Sequence, residues 1–363
     1  DAGLSLTSGT LNVLIGGLAG DALTDADENV AVGYQALSAD TLGLKSTALG
    51  NEALATQNFT TATSSYNTAA GYRAGFAVTT GINNTLIGAL AGDALTTPNN
   101  NVAVGSEALT ADTLGTTSVA IGRSTLKAQN FTTATSTYNT AVGYTAGFAV
   151  TTGVENVLIG SLAGDALTDA DRNTVLGYSA LTLDTLGSRS VAIGAATLAN
   201  QNFTTATESY NTAVGYAAGQ EVTTGIQNTI IGGLAGDAVT TGQENVYIGY
   251  GAATTDDQSD ANVIIGSLAG AEMNHGDATG FTTIVGYQAG FYNVTGTSNT
   301  YIGYRAGHGS SNQSNATNTA VGREAMLQVT TGGTNSFLGS AAGLGVTSGS
   351  NNFGIGADSG RSG

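Results

Sequence analysis

Apolar triplets that end on a glycine punctuate this chain throughout. A Gly follows an aliphatic or Ala residue at positions 16, 33, 50, 71, 88, 105, 122, 143, 160, 177, 194, 215, 232, 249, 266, 286, 303, 322, 339 and 356. That makes twenty units, spaced 17 to 21 residues apart. Counting from each Gly as position 0, position −4 is mostly Asn, −3 is mostly Val or Thr, and −1 is aliphatic or Ala. No 3.6-residue period is sustained, and Gly and β-branched residues recur too often for helix. The pattern predicts one short strand before every Gly and a turn after it.

A longer period contains these units. "NVLIGGLAGDAL" at Asn12, "NTLIGALAGDAL" at Asn84, "NVLIGSLAGDAL" at Asn156 and "NTIIGGLAGDAV" at Asn228 start 72 residues apart. The units after residue 300 are degenerate copies. A unit this short cannot bury its own core, so neighbours must stack. The expected fold is all-β: residues 1–363 form one parallel β-solenoid or β-roll of about 20 rungs. At ~4.8 Å per rung it would be a rod of about 90 Å.

Side chains alternate across a strand, so −3 and −1 share a face. Their consistent aliphatic character predicts that Val13 and Ile15, Val102 and Val104, and Val191 and Ile193 point into the core. Position −2 then faces outward. It is also apolar or small, as at Leu14, Leu86, Leu158 and Ile230. A strand apolar on both sides is covered on both sides, which predicts either a second layer within the chain or, as the sharper reading, a subunit interface through −2. Asn at −4 is expected to ladder from rung to rung or to form turns. The eight Tyr at +1 (34, 72, 144, 178, 216, 250, 287 and 304) should be partly exposed at a corner.

Composition narrows the function classes. Gly is 54 of 363, Cys and Trp are absent, and there are two His, at 275 and 308. Disulfides, zinc-thiolate sites and thiol nucleophiles are excluded. A formal charge of −17 argues against nucleic-acid partners. Since no run of 18 apolar residues occurs, a membrane-inserted helix is not expected. No cofactor or metal is expected. Acidic clusters at 25–29, 169–173 and 256–260, and Asp21, Asp93, Asp165 and Asp237 in one phase, suit solvated turns. The calcium-binding nonapeptide pattern is missing. A regular Thr-x-Thr ice-binding array is absent too. Active sites are rarely copied four times along a rod, which argues against an enzyme.

"SVAIG" at 118–122 and 190–194 resembles the head repeats of trimeric autotransporter adhesins. "NTAVGYTAG" at 139–147, "NTAVGYAAG" at 211–219 and "NTYIGYRAG" at 299–307 resemble related repeats of phage tail fibres and bacterial surface proteins. The resemblance spans residues 11–360. It implies a left-handed β-roll, three chains side by side, with the Val and Ile of the signature inward, at an extracellular cell surface or on a virion fibre. The units here are longer than the adhesin-head rung, so extra length is expected in lateral loops.

Those loops are the candidate contact sites. "QNFTTATSSY" (57–66), "QNFTTATSTY" (129–138) and "QNFTTATESY" (201–210) lengthen one rung per super-repeat. Phe59, Tyr66, Phe131, Tyr138, Phe203 and Tyr210 would form aromatic patches for a cell-surface glycan or protein; alternatively, the three Phe tuck back to cap the longer rung. The same loops carry N-x-T sequons at Asn58, Asn130 and Asn202, with N-x-S/T also at Asn83, Asn293, Asn312 and Asn315. The irregular segment 271–281 is either a specialised contact or a degenerate loop. The expected function is a non-enzymatic fibre shaft or adhesive head, working as a homotrimer. The alternative is a structural filament whose subunits stack end to end through uncapped solenoid ends. The chain opens on Asp1 rather than Met, as expected of a mature chain or a fragment.

Overall fold

The structure, a computed structural model, describes residues 1–276, 279–310 and 314–360. Among these residues there is no helix, and the chain is a parallel β-solenoid of about twenty turns. It divides into two compact units, Asp1–Leu176 and Gly177–Gly363. In the first, ten three-residue strands run from Val13–Ile15 to Thr174–Leu176. In the second, ten run from Val191–Ile193 to Phe353–Ile355. Within each unit every strand pairs in parallel with the next, as in Val13↔Val30, Leu14↔Ala31 and Ile15↔Val32, or Thr229↔Val246, Ile230↔Tyr247 and Ile231↔Ile248.

The repeated Gly closes each strand because nothing larger fits. Gly88 has φ +131°, and a Cβ there would lie 2.5 Å from the carbonyl oxygen of Gly105 in the next rung. Beyond it the chain turns inward through left-handed residues at +2 and +4, such as Leu162 (φ 59°) and Leu109 (φ 55°). Both are repeated rung after rung, so each rung winds back over the last.

The core lies on the other side of the strand from the one the aliphatic pattern predicts. Position −2 is fully buried from Ala31 to Val175 in the first unit and from Ala192 to Ala320 in the second. Val13, Ile15, Leu49, Ile87, Ile121 and Val157 are exposed, and Val102, Val104, Ile159, Val191 and Ile193 are half-buried on that same outer face. The expectation that −3 and −1 fill the core is therefore overturned. So is the interface through −2: Leu86, Leu158 and Ile230 are interior, and Leu14 is half-buried in the first rung.

Packing inside a rung explains the inversion. The interior is narrow, and −2 faces +4. Where −2 is large, +4 is mostly Gly: Leu14 with Gly20, Leu86 with Gly92, Ile230 with Gly236, Tyr301 with Gly307 and Phe337 with Gly343, the exceptions being Tyr247 with Ala253 and Val175 with Leu181. Where −2 is Ala, +4 is usually large: Ala31 with Leu37, Ala103 with Leu109, Ala192 with Leu198 and Ala320 with Met326. A Cβ on Gly92 would stand 2.8 Å from Leu86 Cδ2. Bulk is thus exchanged between the two positions in most rungs, as close packing demands, while Ala69 with Gly75, Ala141 with Gly147 and Ala213 with Gly219 are small at both.

Asn at −4 shares the inward parity and is buried in most rungs. Each side chain serves backbone more than other amides. The N–H of Asn84 donates to Asn67 Oδ1 at 2.9 Å, and that of Asn101 to Asn84 Oδ1 at 3.0 Å. Asn101 Nδ2 in turn donates to Gly115 O at 3.0 Å. The ladder joins rungs while satisfying turn carbonyls that would otherwise be buried unpaired.

Candidate functional site

The surface features sort into an apolar sheet face, a tyrosine row beside it, and the three long loops. The sheet face carries two lanes in each unit. The −3 lane is Val or Thr in the first unit and Val or Thr ending on Ser336 and Phe353 in the second; the −1 lane is Ile, Val or Leu with one Ala in the first unit, and Ile, Val or Leu in the second. In the first unit its exposed members include Val13, Ile15, Ile87, Ile121 and Leu176; in the second they include Ile231, Val263, Ile302 and Leu338. β-Branched residues suit such a pleated surface, but a run of exposed aliphatic side chains at every rung is not ordinary solvent-facing sequence.

The tyrosine row flanks the lanes, one residue past the Gly. All eight +1 tyrosines are exposed, as the sequence led us to expect. Tyr34 packs back over Gly17 of the preceding rung, where a Cβ would meet its ring at 3.4 Å. The Arg123 guanidinium lies 5.9 Å from the Tyr144 ring centroid. Tyr287 and Tyr304, on consecutive rungs, stack at 5.7 Å with 10° between planes.

The long loops split the six predicted contact residues in two. Tyr66, Tyr138 and Tyr210 are exposed, and Lys45 and Arg189 sit 5.4 and 5.5 Å from the rings of Tyr66 and Tyr210. Phe59, Phe131 and Phe203 are 5–6% exposed, so they are not contact residues. Their rings are folded under the loop. A Cβ on Gly187 would meet Phe203 Cδ2 at 2.7 Å, so that Gly makes the room. The Phe59 N–H is anchored to Asp40 Oδ1 at 3.0 Å.

That anchor belongs to a buried polar cluster that the sequence pattern did not single out. Gln57 Nε2 donates to Asp40 Oδ2 at 2.6 Å and to Ser46 Oγ at 2.7 Å, and Asn67 Nδ2 donates to Gln57 Oε1 at 2.8 Å. The Gly43 N–H donates to Asp40 Oδ1 at 3.0 Å. The same cluster recurs as Asp112, Gln129, Ser118 and Asn139, and as Asp184, Gln201, Ser190 and Asn211. Here Ser replaces the usual Asn at −4, and the Gln amide at +7 fills the vacated place. The signal was present: Ser at −4 occurs in those rungs that carry Gln at +7. Burial pushes the carboxyls of Asp40, Asp112 and Asp184 above the ordinary Asp range, against hydrogen bonds that lower them. The clusters are fully enclosed, so they hold the loops in place and meet no substrate.

A fourth buried acid has a different neighbour. Tyr247 Oη donates to Asp256, whose carboxylate also takes the Ser259 hydroxyl at 2.5 Å. Burial pushes Asp256 up to about 6. The other acidic clusters bond across rungs: Ser8 Oγ donates to Asp25 Oδ1 at 2.7 Å and Thr152 Oγ1 to Asp169 Oδ1 at 2.7 Å. Of the sequons, Asn58, Asn83, Asn130 and Asn202 are exposed, and Asn293 and Asn315 are buried and inaccessible in the folded chain. Asn312 lies outside the described residues, as do 277 and 278 within the irregular segment 271–281.

Comparison with known proteins finds no matching family, no matching curated sequence and no matching solved structure.

Proposed function

We propose that this chain is a non-enzymatic structural and adhesive rod, the shaft or head of an extracellular fibre of the phage tail-fibre or bacterial surface-adhesin kind, assembled as a homotrimer. The observation that carries this reading is the exposed aliphatic lane on the sheet face. Each unit has ten three-residue strands, so nine intervals of ~4.8 Å give a lane about 43 Å long. At ~10 Å wide, each lane offers ~430 Å², already within the range of the largest patch on a typical monomer. The lane of one unit alone is thus about half of the ~800 Å² per partner of a standard stable interface.

The fitting occupant is another copy of the chain. Only a partner with the same rung spacing can place an aliphatic side chain opposite Ile87, Val104 and Ile121 in turn without drifting out of register. Repeated copies around a common axis would also leave the tyrosine row and the long-loop tyrosines available for weak contacts that add through multivalency.

The test is the oligomeric state. Light scattering and sedimentation should give three times the chain mass. Ile87→Asp with Ile121→Asp should yield a folded monomer, since charges on an exposed lane are solvated until copies meet. A wild-type chain that is folded and monomeric at high micromolar concentration would overturn the proposal.

A further inference from the structure

The second super-repeat carries a small cavity that the trimeric reading does not use. Tyr144, Thr145, Phe148, Leu162 and Asp165 line an open space of about 320 Å³, at the lower end of small-molecule sites (~300–1,000 Å³). All five belong to the first unit. Tyr144, Thr145 and Phe148 come from one rung at +1, +2 and +5, and Leu162 and Asp165 from the next at +2 and +5. The Leu162 N–H donates to Tyr144 O at 3.0 Å and the Ala149 N–H to Asp165 O at 2.9 Å. Backbone bonds therefore set the carboxylate one rung from the Phe148 ring.

Two observations mark the cavity as a binding site. Thr145 lines this space, and its hydroxyl is solvent-inaccessible and has no hydrogen-bond partner, a polar group that a ligand would satisfy once the side chain rotates outward. The rings of Tyr144 and Phe148 are 50% and 40% exposed, although they line a concavity. The copy 72 residues earlier shows the closed alternative. There Arg73 replaces Thr145; its guanidinium lies 4.0 Å from the Phe76 ring centroid and pairs with Glu52 at 3.4 Å. In the copy of the second unit Gln220 stands where Phe148 would be. The middle copy keeps both rings, with the Arg123 guanidinium and the Lys127 ammonium each 5.9 Å from a ring centroid rather than the 4.0 Å of Arg73 over Phe76.

We infer that Tyr144, Thr145, Phe148 and Asp165 form a subsite for one neutral hexopyranose of a glycan. The C–H face of a pyranose packs on an aromatic ring, while its hydroxyls supply donors for a carboxylate and an acceptor for a Thr hydroxyl. An acidic sugar would meet Asp165 on a chain of net charge −17 and is disfavoured. A cationic ligand is disfavoured as well, because the Lys127 ammonium already stands 5.9 Å from the Phe148 ring centroid. The site lies within one chain, so its binding does not depend on trimer formation.

Saturation-transfer NMR on the full chain tests this, with cellohexaose, laminarihexaose, mannohexaose, galactotetraose, sialyllactose and choline as probes. At least one neutral oligosaccharide should show transfer, with millimolar affinity. Thr145→Arg copies the closed site at a backbone corner where Arg73 is already accommodated (φ 54° against 53°). It should weaken binding at least about tenfold, the equivalent of one stacked ring contact. Phe148→Ser should do the same, and Tyr72→Ala should change nothing, all with wild-type melting curves. Transfer to no neutral oligosaccharide, preference for sialyllactose or choline, or wild-type affinity in folded Thr145→Arg and Phe148→Ser would each overturn the assignment. A monomer that binds sugar would reject the trimer alone, and a trimer that does not would reject the subsite alone.

Discussion

The exchange of volume between −2 and +4 can be tested by swapping one rung type for another. Leu86 is fully buried, and the Cβ that Gly92 lacks would sit 2.8 Å from its Cδ2. Leu86→Ala alone should cost about 3 kcal/mol, the middle of the range for a buried Leu that leaves a cavity. Gly92→Leu alone should cost a similar ~3 kcal/mol, from overpacking and from a left-handed backbone. The double variant, however, reproduces the next rung, where Ala103 faces Leu109 at φ 55°. Its loss should therefore be ~2 kcal/mol rather than the additive ~6 kcal/mol, a coupling of about 4 kcal/mol. Rescue is incomplete because Leu86 Cδ1 also covers Gly75, 2.6 Å from where its Cβ would be. Urea titration followed by circular dichroism, fitted over the transition that includes this rung, measures the cycle. Additivity within ~0.5 kcal/mol would refute the complementary packing.

Neighbouring residues on one strand should respond in opposite ways: Leu158→Asp should abolish folding, because it buries a lone charge, while Ile159→Asp should leave a folded chain by circular dichroism. Stability should also depend on pH through the buried acids. A carboxyl whose folded pKa is raised favours the protonated native state, so its stabilising effect is full below pH ~3.8 and is lost as pH rises through the folded value. For Asp256, with a folded value of about 6, the loss is on the order of 3 kcal/mol between pH ~4 and ~6. Asp256→Asn should raise the melting temperature at pH 7.5 and flatten that part of the profile. Gln129→Leu should lower stability by a few kcal/mol, about the cost of leaving the buried Asp112 carboxyl with one partner fewer, and Asp112→Asn should recover part of it in thermal melts. Replacing Tyr66, Tyr138 and Tyr210 together with Ser should leave melting unchanged and reduce adhesion to cells far more than any single change. Equal adhesion would remove the long loops from the contact surface.

The clusters around Asp40, Asp112 and Asp184 show how far sequence reasoning reached and where it stopped. Their repetition every 72 residues was plain, and so was the extra loop length. Whether Phe59, Phe131 and Phe203 face solvent or tuck back to cap the rung stayed open, because an aromatic in a Thr-rich loop has the same local signature whether it faces solvent or a Gly such as Gly187. Likewise Asp165 read as a solvated turn acid in a row with Asp21, Asp93 and Asp237. Its place beside Tyr144 and Phe148 depends on which residues two successive rungs bring together.

The sequence by itself determined the repeat, the position of the twenty three-residue strands, their parallel one-rung register and the Gly at the end of each, because all of these follow from spacing; the two-residue strands flanking the long loops, such as Gly43–Leu44 with Thr63–Ser64, it did not place. It left the direction of the strand faces open. A triplet such as Thr85–Leu86–Ile87 is apolar on both sides, so alternation alone assigns no inside. The constancy of Val, Thr and Ile at −3 and −1 suggested a core, whereas the actual interior row varies from Ala to Leu to Tyr. The tertiary structure decided the matter through volume and hydrogen bonding. In most rungs a large residue at −2 is accommodated opposite Gly at +4, with Ala253 opposite Tyr247, and the Asn at −4 must reach backbone groups inside the turn. Both share the parity that turns −3 and −1 outward.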